Sequence, residues 1–120
     1  MRRVTAGFAV TLLSLGAAGC TFHSARLPIG PSHNPSAPEV IVVIDAAPAR
    51  AYEVVGKVHS HCRWNWLFGW AACGEKTMRQ RLKGEAAYLG ADGLIDVTRT
   101  SFSQFEWTDV HYHATAVRWE

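Results

Sequence analysis

Cys62 and Cys73 bracket the segment CRWNWLFGWAAC, in which Trp64, Trp66, Phe68 and Trp70 recur at every second position. Two cysteines this close constrain a small fold strongly, because oxidation would close a loop of about a dozen residues. The segment has four possible dispositions: a buried core piece, a disulfide-closed surface loop, a metal knuckle or a membrane-touching finger. The compartment in which the chain works decides among them.

The N-terminus, MRRVTAGFAVTLLSLGAAGC, has the order of a secretory signal: two arginines, an apolar run from Val4 to about Leu15, then small residues before Cys20. The run is short of the roughly 20 apolar residues that a spanning helix needs. The small residues Ala17, Ala18 and Gly19 ahead of Cys20 resemble the lipobox of bacterial lipoproteins. In that family the cysteine is acylated and becomes the mature N-terminus. The resemblance implies cleavage of residues 1–19, acylation of Cys20 and attachment to a membrane through two acyl chains, enough for stable anchoring. Thr21 is not the aspartate that retains many such lipoproteins at the inner membrane. The expected place is therefore the outer membrane, with the domain in the periplasm.

Cleavage removes Arg2 and Arg3, so the twelve Lys+Arg fall to ten against ten Asp+Glu. A mature chain near neutrality has no basic patch to recruit nucleic acid. With Cys20 assigned to lipid, Cys62 and Cys73 remain as a pair in an oxidising compartment, where a disulfide is expected. In the chain-entropy model such a bond contributes roughly 3 kcal/mol. That matters for a folded part of about 80 residues, whose core alone is marginal.

Residues 20–38 carry four prolines and show no apolar periodicity, so they read as a Pro-rich tether reaching up to roughly 50 Å at about 3 Å per residue. His23 and His33 fall inside it as solvated polar residues. The domain proper, 39–120, opens with the β-branched run EVIVVI over 39–44, suited to a buried strand. AYEVVGKVHSH alternates as a half-buried strand and runs into Cys62. GEKTMRQRLKGEAAYLG carries Met78, Leu82, Ala86 and Leu89 in one helical stripe. The spacings Glu75–Arg79 and Arg81–Glu85 suit ion pairs on its polar side. GLIDVTRTSF and VHYHATAVRWE supply two more strands joined near SQFEWT. The predicted class is α+β, in the order β-β-α-β-β, with a small, mostly antiparallel sheet packed on one helix.

The string YEVVGKV, LKGEAAYLGADGLIDV, HATAV resembles the YbjQ-type family, a small bacterial family catalogued as heavy-metal-binding domains. It is also similar to the core of the Rcs stress-sensor lipoprotein of the outer membrane. The likeness covers about residues 50–118 and implies a fold and a setting more than an activity. The sensor lipoprotein's core holds two disulfide bridges, where this chain has cysteines for one. LGAD has a structural reason of its own: Gly90 permits positive φ at the helix end, and Asp92-Gly93 turns into the next strand.

Two His-x-His pairs carry the candidate chemistry. On a strand, residues i and i+2 face the same way about 6.5–7 Å apart, so His59/His61 and His111/His113 each aim two imidazoles together. If their strands are neighbours, four histidines converge on a divalent transition metal. The alternative is a set of partly exposed polar residues on the solvent face, since Val110, Tyr112, Ala114 and Ala116 take the other face. Cys62 and Cys73 lack CxxC spacing and are weaker candidates as thiolate ligands. No G-x-S-x-G, HExxH or P-loop occurs, and no residue has an evident catalytic partner.

The leading expectation is a non-enzymatic lipoprotein without cofactor, whose disulfide-stapled domain offers Trp64, Trp66, Phe68 and Trp70 to an envelope protein partner. Tryptophan and tyrosine dominate the hot spots of such interfaces. If the second hairpin lies at the same end, Phe105 and Trp107 lengthen the patch. The alternative is a periplasmic domain that binds a divalent metal through the paired histidines.

Overall fold

A computed structural model describes residues 20–65, 73–104 and 107–120. The architecture is α+β: one helix packed on one face of a five-stranded, mostly antiparallel sheet. The strands are β1 (Cys20–Pro28), β2 (Val42–Val43), β3 (Tyr52–Asn65), β4 (Gly93–Gln104) and β5 (Trp107–Trp119). The helix, α1, spans Glu75–Tyr88 between β3 and β4. The sheet order is β1-β3-β5-β4-β2, and only the β2–β4 pair is parallel.

The helical stripe read from the sequence is the buried one. Met78, Leu82 and Ala86 are fully buried and Leu89 nearly so. They pack on Val55, Val58 and Cys62 of β3, Val110, Tyr112, Ala114 and Ala116 of β5, and Leu94 of β4. Ser60 sits within this apolar layer, its hydroxyl placed 3.4 Å from that of Ser24 and 3.9 Å from the Met78 sulfur. The helix ends as LGAD requires, with Gly90 at φ +74. A Cβ there would also lie 2.5 Å from the Asn34 carbonyl oxygen, so conformation and space both select glycine. Asp92 then ties the turn to β5, its carboxylate accepting from the Trp119 backbone N–H. On the polar side Arg79 pairs with Glu75 as spaced, but Glu85 pairs with Arg26 of β1, and Arg81 lies over the Phe22 ring.

The expected tether is different from what folds. Residues 20–28 form β1, paired antiparallel with β3 from Cys20↔Trp64 to Pro28↔Gly56. The following stretch crosses the end of α1, where Ser36 donates to Ala87 O through its backbone and to Ala91 O through its hydroxyl. The prolines do hold this chain extended, but the extended chain is spent on the helix end rather than on reach. The run 39–44 also departs from expectation. Pro38–Val40 is a single 3-10 turn, only Val42 and Val43 pair with the sheet, and Val40 and Val42 are exposed. Ile41 is buried in the core, and Val43 packs against it partly buried. Proline at the first position favours the helical turn over a strand start, and an edge position leaves one side of so short a strand unpaired.

In β3 the register slips between Val54 and Gly56, so Val55 and Val58 face the core where strict alternation favours Val54 and Val58. Cys62 and Cys73 are joined by a disulfide across 5.7 Å between Cα atoms, and both are buried. The bond ties the end of β3 to the entrance of α1. Among the described residues, no helix is long and apolar enough to cross a membrane.

Candidate metal centre on the open face of the sheet

Helix α1 covers one face of the sheet and leaves the other open. Residues directly opposite one another in an antiparallel pair share a face, and β3 and β5 align His59 with His113 and His61 with His111. The two sequence pairs therefore meet as one patch. His59 and His113 stack with centroids 4.5 Å apart, and His61 and His111 with centroids 4.2 Å apart. The diagonal is closer still in its polar atoms: His59 Nε2 and His111 Nδ1 are 2.9 Å apart, so one of them carries the shared proton. One ligand nitrogen each from His59, His111 and His113 lie within 4.8 Å of one another.

Polar pairs close the patch at both ends. Towards the β4–β5 hairpin, Asp109 accepts from His61 Nε2 at 2.8 Å and from Arg63 Nε at 2.9 Å. At the other end, Lys57 Nζ donates to the buried Thr115 hydroxyl at 2.7 Å. The Arg63 hydrogen bonds, with help from His61, hold the Asp109 carboxyl below the ordinary carboxylate range. His59 and His111 are held below the ordinary histidine value. Desolvation is the main cause for both, followed by the neighbouring imidazoles. At neutral pH both rings are therefore uncharged, the form that ligates metal.

Two participants lie outside the expected set. His23 of β1 stands opposite His61 in the register, and it contributes to lowering the pKa of His59. It belongs to the open face, not to a tether. Asp109, two residues ahead of His111 on the same face, fixes the His61 ring. The period of two was a usable signal for Asp109. No such signal existed for His23 while its segment lacked an assigned strand.

The donor set decides which ligands fit. Imidazoles alone, backed by one carboxylate, suit zinc, copper(II) or nickel and not the all-oxygen shells of calcium or magnesium. The carboxylate of Asp109 fixes His61, which borders the group of His59, His111 and His113 without belonging to it. Cys62 and Cys73 are excluded as thiolate ligands by their disulfide.

Of the four aromatics expected to face a partner, Trp64 is half-buried and packs against the core. Trp66, Phe68 and Trp70 lie outside the described residues, as does Phe105. The two hairpin ends do come together: Trp64 aligns with Thr108 and Asn65 with Trp107.

No family model matches the chain, and no curated protein does. Among solved structures the chain is similar to the crystal structure of a Francisella virulence factor, FvfA. The TM-score is 0.54 at 14% identity, over 78% of this chain and 97% of that one. At that identity the likeness concerns the fold alone.

Proposed function

We propose that this is a non-catalytic, lipid-anchored envelope protein whose open sheet face binds one divalent transition-metal ion. The observation that carries the reading is the cross-strand register His59↔His113 and His61↔His111, which gathers imidazoles from two strands into one patch. His59, His111 and His113 are the ligands, and Asp109 orients His61 at the rim. Imidazole ligation displaces the proton between His59 and His111, so binding is tighter at neutral than at acid pH.

Calorimetric titration of the purified protein with Zn²⁺, Cu²⁺ and Ni²⁺ tests it. One equivalent should bind at micromolar affinity or tighter, and His59→Ala and His111→Ala should each abolish that binding, whereas Asp109→Asn, which acts on His61 outside the ligand set, should change it little. Absence of micromolar binding for all three ions would refute the reading. The lipid anchor has a separate test: the intact mass of the protein extracted from membranes should show a diacylglycerol-modified chain beginning at Cys20.

A further inference from the structure

We infer that the end of the sheet where β1 begins is a bilayer-contacting surface, seated in the headgroup region of the membrane that holds the acyl chains. The inference goes beyond metal binding and rests on the reading of Cys20 as the acylated residue. Its first support is the absence of slack. Cys20 is itself the first residue of β1 and pairs with Trp64, so no flexible chain separates the anchor from the folded sheet. Acyl chains at that position bring the strand ends down to the membrane surface.

The second support is what those ends carry. Phe102 is 63% exposed, Phe22 38% and Trp107 37%, all within a few residues of the same edge. Tryptophan and other aromatics with an apolar body and a wet rim concentrate at membrane interfaces. The third support is charge. Arg63 is paired with Asp109 and lies over the Trp107 ring at 5.9 Å, while Arg81 lies over Phe22 at 4.1 Å. In both contacts the guanidinium carbon itself lies over the ring, which holds a cation against the aromatic surface at this end of the sheet. Exposed aromatics also occur at the opposite end, where Tyr52 packs edge-on to Trp119 and Tyr88 lies under Arg26; what distinguishes the two ends is Cys20, which begins β1 opposite Trp64.

Trp119, at the far end of β5, supplies an internal control. Twelve residue steps separate it from Trp107, about 40 Å at 3.4 Å each. The full-length protein, purified with its acyl chains and verified by intact mass, is reconstituted into phosphatidylcholine vesicles. Some of the lipid is brominated near the glycerol end of the acyl chain, so that nearby indoles are quenched. Brominated lipid should quench part of the tryptophan emission. Trp107→Phe should lower the quenched share, and Trp119→Phe should raise it. Circular dichroism melts confirm that each variant folds as the parent does. An acylated protein whose quenching is unchanged by Trp107→Phe would overturn the inference and leave the end free for a protein partner. Equal losses with Trp107→Phe and Trp119→Phe would overturn it too, because the sheet would then lie flat on the bilayer. A chain without acyl modification removes the premise and is reported by the mass alone. Repeating the measurement with anionic phosphatidylglycerol should leave the ranking of the variants unchanged, as a contact made by aromatic rings requires.

Discussion

At the scale of single residues, the open face holds two histidines, His59 and His111, whose pKa values are lowered. His59 and His111 face His61, His113, His23, Asp109, Arg63 and Lys57, and burial together with the like neighbours lowers both pKa values. A histidine whose pKa falls on folding binds fewer protons in the folded chain than in the unfolded one. Stability therefore rises with pH across the interval between the two values. For the metal-free protein the contribution is complete above the unfolded value of 6.5 and is lost as pH falls from there towards the folded values. The carboxyl of Asp109 is also shifted downward, by the Arg63 hydrogen bonds, and loses its contribution only at more acid pH, below 3.8. Thermal melts from pH 7.5 to 5 should show a falling midpoint, and His59→Gln should flatten the slope. A flat profile for the parent would mean that the patch carries no such penalty. The pairing of these histidines was legible in the sequence as two His-x-His repeats. Their meeting was not, because it depends on which strands are neighbours and in what register.

At the scale of elements, legibility follows how completely each element is buried. Helix α1 buries a full stripe against the sheet, so its 3.6-residue period appears in Met78, Leu82, Ala86 and Leu89. Gly90 announced its turn because no other residue adopts that φ as freely. Strand β1 is an edge with one neighbour, and its outward positions accept Arg26, Leu27 and Pro28 without cost to the core. Its alternation is therefore faint, and the prolines that follow read as linker. The slip in β3 falls beside Gly56, where a Cβ would meet Leu89 and the Leu27 carbonyl, so close packing selects glycine there. Local sequence holds no record of those contacts. The disulfide lies between the two best-read elements, and its ring spans eleven positions. Replacing both cysteines with serine should lower the unfolding free energy by about 3 kcal/mol. Urea denaturation of the oxidised parent and the double variant measures this. Matching midpoints would show that the bond adds nothing to stability.

At the scale of the whole molecule, β1 is what turns a five-element sandwich into this structure. It covers the free edge of β3, places Ser24 against the buried Ser60, pairs Arg26 with Glu85 of the helix, and adds His23 to the open face. Without it, the long β3 would present a row of unpaired backbone groups, a template for pairing with another chain. A tether and an edge strand make opposite forecasts for the same experiment. Replacing residues 20–28 with a glycine-serine stretch of equal length would leave a tethered domain unchanged in stability and monomeric. With β1 as a strand, the replacement should cost roughly 2 kcal/mol or more, and for a domain of this size each kcal/mol is about 4–8 °C of melting temperature. The bared edge of β3 should also self-associate, visible as concentration-dependent dimers by sedimentation. To separate this from the loss of the anchor, parent and variant are both expressed behind a cleavable, non-lipidating secretion signal. An unchanged melting point and a monomeric variant would return residues 20–28 to the role of a linker.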